Sequence, residues 1–372
     1  MYVPWDWAKQ RPHFIAENLE KYFLVDVIAP VHYDKSVLVE NSTDLNFIRP
    51  YLPYIKACKS EKFTFINRII NKINYYLFYL YPSYFLPLKK YDYVWVTDVR
   101  LYPIISKSRF QNIPILYDYM DDTLAFEHLQ ANTRLYHNIK NKYDFGLVNL
   151  AKYIFCSSDM LAQQLLLKYP QLNKDKIVTI YNAIDEGFIN QRDSNKKLTD
   201  LINRLKSTGN KIILYVGTIE KWMHYDWLVK SLDKHEDITY IIVGPNLAKF
   251  KDAPRLKFVG TIEHKYLYNL LQLADILIMP FFVIKLIESV DPVKIYEYLV
   301  VNKSIILPYY NEVEKFAKYP NINFYNNEEE FYIKLSQCLR APTIKSEFDI
   351  KNFINNNSWR TRVDKIVNYI SA

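Results

Sequence analysis

Glycine is scarce in this 372-residue chain, which contains only six. The glycine-rich phosphate fingerprints, G-x-G-x-x-G and G-x-x-x-x-G-K-[ST], are therefore absent, and any phosphate site must rely on helix ends and side chains. Cysteine is scarce as well. Cys58, Cys156 and Cys338 form no C-x-x-C pair and no metal-ligand spacing, which indicates a reducing compartment.

Metal motifs and membrane spans are also missing from the sequence. The seven histidines show no H-E-x-x-H motif and no paired spacing, so we expect no metal site. The longest charge-free run, 73–88, contains Asn74 and Pro82 and is shorter than the roughly 20 residues that span a bilayer. The first residues lack a signal-peptide pattern. These absences predict a cytoplasmic protein.

What the chain does have is length, apolar residues and positive charge. A chain of 372 residues, half of them hydrophobic, is expected to fold as two globular domains. The net charge of +8 indicates anionic partners, which could be nucleotide diphosphates, nucleic acid or an acidic membrane surface. No recognised nucleic-acid-binding module is present, so we expect no nucleic-acid partner.

Short apolar runs alternate with amphipathic helical patterns along the chain, which predicts βα units and parallel sheets. The predicted elements include strands at 22–29 and 211–216, a helix at 159–168 and an interdomain linker near 186–195. We predict an N-terminal domain over 1–187, a C-terminal domain over 188–357 and a final helix over 358–372 that packs back on the first domain. Ligands of such sheets gather at the carboxyl ends of the strands. The sequence therefore predicts a cleft between two domains, lined by strand ends.

Three carboxylates, Asp118, Asp121 and Asp122, follow the strand predicted at 113–119. They could supply a base that deprotonates an acceptor hydroxyl. The adjacent pair could also chelate a metal, or cap the helix that follows. The residues alone leave these three interpretations open.

Three strands predicted in the second half end in glycine, at Gly217, Gly244 and Gly260. A glycine at the carboxyl end of a strand lets a ligand approach the backbone, although each could be only a tight turn. Three of the six glycines stand at equivalent places in successive units, and this favours a ligand cleft.

The segment 291–297 holds the strongest candidate site. Asp291 could cap a helix whose first position is Pro292. Lys294 would lie in the first turn, where the helix dipole disfavours a cation unless an anion is bound there. Glu297 would lie on the same face and could bind a hydroxyl. Alternatively, these charged residues only pair along an exposed helix.

The region 56–90 is basic and aromatic. Phe65, Ile69, Ile73 and Tyr76 have helical spacing. One interpretation is a surface that rests on anionic lipid, and the other is a helix packed on its own sheet with a solvated basic face. Seven basic residues surround this stripe against the single acid Glu61: Lys56, Lys59, Lys62, Arg68, Lys72, Lys89 and Lys90.

Several segments carry a resemblance to a known family. In the second half they are Leu214-Tyr-Val-Gly217-Thr-Ile, Ile242-Val-Gly244-Pro, Phe258-Val-Gly260-Thr, Ala274-Asp-Ile-Leu-Ile-Met-Pro280-Phe and Asp291-Pro-Val-Lys294-Ile-Tyr-Glu297-Tyr-Leu. They resemble the donor domain of GT-B glycosyltransferases of the glycosyl transferase family 4 (group 1) type. Three segments of the first half resemble bacterial members of this family that build teichuronic acid and capsular polysaccharides. They are Trp7-Ala-Lys-Gln10-Arg11-Pro12-His13, Tyr117-Asp118-Tyr-Met-Asp121-Asp122 and Cys156-Ser157-Ser158.

The resemblance implies an α/β GT-B fold, in which two Rossmann-like βαβ domains face each other across a cleft. It also implies sugar transfer from a nucleotide diphosphate sugar, most often a UDP-sugar, to an acceptor hydroxyl of a lipid-linked or cell-surface polysaccharide precursor. No bound metal and no permanent cofactor would take part. By resemblance, Glu297 contacts the nucleotide ribose, Lys294 contacts the diphosphate, and Gly217, Thr218, Lys221 and Gly244 line the phosphate-binding loops.

The chain departs from the family pattern at three places. Ser289 stands eight positions before Glu297, where many members carry a glutamate; Lys221 alone replaces an arginine and lysine pair; and Trp5-Asp6-Trp7 replaces a glycine pair. Retention or inversion of configuration therefore stays open.

An inverting enzyme would use a base on the acceptor, with Asp121 and Asp122 favoured over Asp118 and His13. A GT-B-type nucleotide-sugar epimerase and a catalytically inactive partner subunit are the rival interpretations.

Overall fold

The computed structural model of the protein describes residues 9–28, 46–47, 65–66, 69–70, 73, 91–106, 109–120, 143–340 and 349–371. Asp121, Asp122, Tyr76 and the segment Trp5-Asp6-Trp7 lie outside the described residues. The chain divides into two compact units, Met1–Tyr181 with Val363–Ala372, and Asn182–Arg362. The chain passes between the units at 181/182 and 362/363, whereas the sequence predicts domain boundaries at 187 and 357.

The first unit contains a four-stranded parallel sheet with the order β3-β4-β5-β6, and a two-stranded parallel pair, β1-β2. The strands are β1 Asp26–Val27, β2 Asn46–Phe47, β3 Val94–Val96, β4 Ile115–Tyr119, β5 Tyr153–Cys156 and β6 Ile177–Thr179. The long strand predicted at 22–29 is wrong in extent. The amides of Tyr22 and Phe23 bond to the carbonyl of Leu19, so the chain continues to turn after the first helix.

Helices cover the sheet of the first unit. Ser158 begins the helix Asp159–Lys168 by accepting a hydrogen bond from the amide of Leu161 at 3.1 Å. The other helices are Arg11–Leu19, Tyr102–Ile105, the helical residues 143–150 and the end of Trp359–Ser371. The last helix is fixed to this sheet, because Tyr93 donates to the carbonyl of Ile370 at 2.9 Å and Lys365 donates to that of Thr179 at 3.0 Å.

The second unit is built on a six-stranded, all-parallel sheet with the order β12-β11-β10-β7-β8-β9. All six residues of β8 are buried, which agrees with its mostly apolar sequence, because a parallel sheet is covered on both faces. The strands are β7 Lys211–Val216, β8 Ile238–Val243, β9 Leu256–Gly260, β10 Ile276–Ile278, β11 Ser304–Pro308 and β12 Ile322–Tyr325.

The helices described in the second unit are Lys196–Ser207, Tyr225–Lys234, Leu267–Leu273, Lys285–Glu288, Val293–Leu299, Glu328–Arg340, Ile350–Asn357 and the start of Trp359–Ser371. The segment predicted as a linker near 186–195 contains the fully buried Phe188, which packs edge-on against Tyr268. No described helix is long and apolar enough to cross a bilayer.

The strand order of the second unit fixes where a ligand can bind. From β7 the chain proceeds through β8 and β9 to one edge of the sheet, and then returns through β10 and β11 to the other. The order therefore reverses between β7 and β10. In open parallel sheets, the crevice at such a reversal, outside the carboxyl ends of the strands, is the usual ligand site.

Candidate functional site

Two glycines, Gly217 and Gly244, lie side by side at the strand ends of the candidate site. The amide of Gly217, just after β7, donates to the carbonyl of Val243 at 2.8 Å. A Cβ on Gly244 would lie 1.9 Å from the carbonyl oxygen of Gly217, and the φ of Gly244 is +138°. Only glycine fits at this position, because the two strand ends touch through their backbones. What approaches Gly244 is the neighbouring strand end, and the predicted approach of a ligand to these glycines stays a prediction.

Lys294 places its side chain over Gly217. A Cβ on Gly217 would lie 2.2 Å from Cε and 2.9 Å from Nζ of Lys294. Lys294 is partly buried, and this burial lowers the pKa of its ammonium, while the charge of Glu297 opposes the shift. Within the described residues the ammonium forms no ion pair closer than 4.0 Å. A desolvated cation above bare backbone is an arrangement that suits an anionic ligand.

Glu297 lies one turn further along the helix Val293–Leu299 and is 9% exposed. Its Oε1 lies 2.9 Å from Nε2 of His264, which follows the carboxyl end of β9. The other imidazole nitrogen, Nδ1, lies 3.4 Å from Nε2 of Gln191. Sequence patterns do not identify His264; the only signal is its place in a loop after a strand end.

Asp291 does not cap the helix that it precedes, so this part of the prediction is wrong. The helix begins at Val293, its N-cap residue is Pro292, and no side chain caps it. The Asp291 carboxylate is buried and accepts hydrogen bonds from the amide of Asn182 at 2.7 Å and from Nζ of Lys315 at 2.9 Å. The charged partner and the backbone amide satisfy the carboxylate where it lies.

The alternative of an exposed helix with surface ion pairs is also wrong, because Asp291 and Glu297 are both buried. A carboxylate loses its hydration on burial and therefore needs partners inside the protein. Asp291 has them in Asn182 and Lys315, and Glu297 has one in His264. The helix Val293–Leu299 is consequently an internal element of the second unit, with charged side chains in defined positions.

The loop after β7 holds Thr218 and Lys221, both of which are exposed. The hydroxyl of Tyr215 donates to the carbonyl of Thr218 at 2.8 Å, and so fixes the start of the loop. The far end of the loop is bound to the end of β10, since the amide of Phe282 donates to the carbonyl of Trp222 at 2.7 Å. The loop is therefore anchored at both ends, with Thr218 at the first anchor and Lys221 between the two.

Ser289 is buried in the turn that precedes the helix Val293–Leu299. Its hydroxyl donates to the carbonyl of Leu286 at 3.0 Å and closes the short helix Lys285–Glu288. The hydroxyl hydrogen is thus engaged inside this turn. Its predicted contact with the donor is not tested by the structure and stays a prediction.

His224 is a second residue that sequence reasoning misses. It precedes the helix Tyr225–Lys234, and its ring stacks on Trp227 with 3.4 Å between centroids. Burial lowers its pKa to about 4, so the imidazole is neutral at pH 7. His224 also joins the two loops of the site, because its amide donates to the carbonyl of Pro280 at 2.8 Å.

The described candidate bases of the first unit are both buried. Asp118, at the end of β4, is fully buried and accepts a hydrogen bond from Nε of Arg11 at 2.9 Å. Arg11 also donates through Nη1 to the carbonyl of Ile180 at 2.6 Å. Burial raises the pKa of Asp118, while the Arg11 guanidinium opposes the shift. The pair ties the first helix to two strands, which is a structural role.

His13 lies in the same helix as Arg11 and is 3% exposed. Its Nδ1 accepts a hydrogen bond from the amide of Gln10 at 3.2 Å, which closes the first turn of that helix. No group of three or more His, Cys, Asp or Glu side chains in the described part of the chain could hold a metal ion. The base assignment stays a prediction, since Asp121 and Asp122 lie outside the described residues.

Two Rossmann-like α/β units with parallel sheets define the GT-B fold class, and comparison with solved structures confirms it. HepE from Anabaena, solved in complex with UDP and glucose, superposes with a TM-score of 0.66 at 14% identity and covers 100% of this chain and 98% of its own. Sucrose-phosphate synthase from Thermosynechococcus elongatus gives a TM-score of 0.67 at 13% identity, over 97% of this chain and 92% of its own.

A sequence relative comes from Bacillus subtilis (strain 168): TuaH, provisionally named as a teichuronic acid biosynthesis glycosyltransferase. It is 23% identical to this chain over 228 residues, which are 58% of this chain and 55% of TuaH. The chain thus spans about half the length of the curated relative that it matches. No protein-family model matches the chain.

Proposed function

We propose that this protein is a glycosyltransferase that moves a sugar from a nucleotide diphosphate sugar to an acceptor hydroxyl. The observation that carries the proposal is the Lys294 ammonium, desolvated above Gly217 at the switch point of a parallel sheet. HepE, which shares the fold, is solved with UDP and glucose and also with UDP-glucose, which supports a UDP-sugar donor. TuaH supports an acceptor that is a lipid-linked or cell-surface polysaccharide precursor.

In the proposed reaction the acceptor oxygen attacks the anomeric carbon while the bond from that carbon to the phosphate oxygen breaks. The electron pair stays on the diphosphate, where the Lys294 ammonium stabilises the growing negative charge. Lys221 adds a second cation from its exposed loop. The acceptor proton passes to a base or to the leaving phosphate. Because Asp118 is bound to Arg11, we assign a base of the inverting reaction to Asp121 or Asp122.

Nucleotide binding by purified variants tests the Lys294 site. Wild-type protein is titrated with UDP, GDP and ADP, and we expect one of them to bind and to raise the melting temperature. Lys294→Ala should weaken that nucleotide about 10- to 100-fold, since a hydrogen bond to a charged group contributes about 1.5–3 kcal/mol. Lys230→Ala is the matched control, because Lys230 is an exposed lysine of the same unit that pairs with Glu328.

Equal nucleotide affinities of Lys294→Ala and wild-type protein would contradict the proposed site. A wild-type protein that binds none of the three nucleotides would support the inactive partner subunit instead. With a UDP-sugar and an acceptor, release of UDP indicates transfer. An isomerised UDP-sugar formed without acceptor would indicate the epimerase.

We further propose that the region 56–90 contacts an anionic membrane at the inner face of the cell. Four described apolar residues of this region are helical and exposed: Phe65 at 72%, Ile66 at 44%, Ile69 at 44% and Ile73 at 40%. The surrounding sequence is basic, so apolar insertion and attraction to anionic headgroups would act together. The alternative in which this stripe packs on the protein's own sheet is less compatible with these exposures.

Vesicle binding tests the membrane proposal. Wild-type protein should sediment with phosphatidylglycerol vesicles and far less with phosphatidylcholine vesicles, and high salt should weaken the binding. The double variant Phe65→Ser/Ile69→Ser should lose most of the binding. Leu167→Ser is the control, because Leu167 is an equally apolar residue, 81% exposed, on the helix Asp159–Lys168. Equal binding by both variants would overturn the assignment of this surface.

A further inference from the structure

We propose that His264 is a positioning residue for Glu297, and that Gln191 sets the tautomer in which His264 acts. The inference rests on the proposed function, in which Glu297 accepts hydrogen bonds from the ribose hydroxyls of the donor. It assigns to His264 and Gln191 a role in recognising the ribose, although neither lies on the helix Val293–Leu299 that carries Glu297.

The hydrogen bonds run in one direction through four residues. The amide of Tyr268 donates to Oε1 of Gln191 at 3.2 Å, which fixes the orientation of the Gln191 side-chain amide. Its Nε2 therefore points to Nδ1 of His264, at 3.4 Å, and donates to it. An imidazole that accepts at Nδ1 carries its proton on Nε2. Nε2 then donates to Oε1 of Glu297 at 2.9 Å.

The ring itself is held from the side. Phe188, which is fully buried, lies 5.6 Å from the His264 ring between centroids, at an interplanar angle of 49°. Gln191 follows Phe188 on the same turn, because its amide bonds to the carbonyl of Phe188 at 3.3 Å. The segment 188–191 thus supplies both the packing and the hydrogen bond that orient the imidazole.

The consequence falls on Oε2, the second oxygen of the Glu297 carboxylate. A carboxylate with no partner rotates about its last torsion, and a ligand must pay the entropy of stopping it. With Oε1 bound to His264, the rotation is restricted before the donor arrives. Oε2 then has a defined direction in which to accept a ribose hydroxyl. Such preorganisation should act on nucleotides that carry the hydroxyls and have no effect on those that lack them.

The test compares UDP with 2′,3′-dideoxy-UDP in calorimetric titrations of purified full-length variants. His264→Phe keeps a ring against Phe188 but removes the donor, and we expect it to weaken UDP about tenfold. The dideoxy nucleotide should bind wild-type protein and His264→Phe equally. His264→Gln restores a donor and should recover part of the UDP affinity. Gln191→Leu should weaken UDP by a smaller factor and again spare the dideoxy nucleotide.

The outcomes separate this inference from the proposal on which it rests. Equal losses for UDP and dideoxy-UDP in His264→Phe, or no loss for either, would overturn the positioning role and leave the proposed function intact. Wild-type protein that binds none of UDP, GDP and ADP would overturn both. Thermal unfolding of each variant shows whether it folds. Glu297→Gln, which keeps the shape of the side chain, gives the selective loss independently of the imidazole.

Discussion

The two sheets of this protein treat charged side chains at their carboxyl edges in different ways. At the end of β4, Asp118 is fully buried and bound to a guanidinium that itself reaches a backbone carbonyl. At the end of β7, the Lys294 ammonium lies over Gly217 with no ion pair among the described residues. A charge at a strand end is thus structural when its partner comes from the fold. A charge at a strand end becomes a candidate ligand contact when it lies over a glycine and has no charged partner among the described residues, as Lys294 does.

The largest expected effect is a loss of stability when the buried pair of Arg11 and Asp118 is broken, which tests the structural role in this comparison. Arg11→Met would leave the Asp118 carboxylate buried without its partner, and we expect a loss of about 3–5 kcal/mol in the free energy of unfolding. Urea unfolding, followed by tryptophan fluorescence, measures it. Arg11→Met/Asp118→Leu should recover most of the loss, because the uncompensated charge is gone.

A matched pair of lesser burial is the control for this experiment. Lys206 and Asp275 also lie 2.9 Å apart, but both side chains are about one third exposed. Lys206→Met should cost less than about 1 kcal/mol, since solvent screens the pair. Equal losses in Arg11→Met and Lys206→Met would show that burial does not separate the two kinds of ion pair, and the comparison would fail.

A second test separates the glycines that the sequence presents as equivalent. Gly244→Ala puts a Cβ 1.9 Å from a backbone carbonyl at a positive φ, and we expect it to destabilise the second unit by about 2–4 kcal/mol. Gly217→Ala, at a φ of +152°, meets side-chain ends instead of backbone, namely Cε of Lys294 at 2.2 Å and the hydroxyl of Tyr215 at 2.6 Å. It should therefore cost less stability than Gly244→Ala, but weaken nucleotide binding about tenfold. Melting temperature and nucleotide affinity, measured on the same samples, check the two expectations.

Gly260→Ala serves as the control for the glycine series. A Cβ at Gly260 would meet no atom of the described residues within 4 Å, so its φ of +76° is what opposes the substitution. We expect a loss of about 1–2 kcal/mol in stability and no change in nucleotide affinity. If Gly217→Ala and Gly260→Ala bind nucleotide equally well, then the space above Gly217 is not part of the site.

Local patterns predict much of the alternation of strands and helices, because the parallel strands are apolar runs and some helices, such as Asp159–Lys168, begin at a recognisable cap. The helix Asp159–Lys168 and the strand β7 lie where the sequence places them. The short strand β1 shows the limit, since an apolar segment continued the turn of the preceding helix instead of extending. The order of the strands, which creates the switch point, follows from tertiary packing that no local pattern contains.

The candidate site could be predicted only in part for the same reason. Lys294 and Glu297 are close in sequence and share a helix, so their spacing carries the information. Gln191 and His264 meet across a long separation, and no spacing rule connects them. Local reasoning predicts that Asp291 caps the nearest helix, whereas its carboxylate accepts hydrogen bonds from Lys315 and from the amide of Asn182, which no local pattern identifies.

The smallest expected effect is a pH dependence of nucleotide affinity, which tests the ligand-binding role of Lys294 in this comparison. Burial lowers the pKa of the free Lys294 ammonium below 10.5, and a bound diphosphate would raise it again by its negative charge. At a pH between these two pKa values, nucleotide binding is accompanied by the uptake of a proton by Lys294. Affinity for the nucleotide is therefore fully present below the lowered pKa and falls, by at most about tenfold per pH unit, as pH rises through it. Titrations in buffers of different ionisation enthalpy measure the proton uptake directly.

Lys294→Arg should flatten the pH dependence, because a guanidinium stays charged throughout. A wild-type affinity that does not change up to pH 10 would place the ammonium away from the diphosphate.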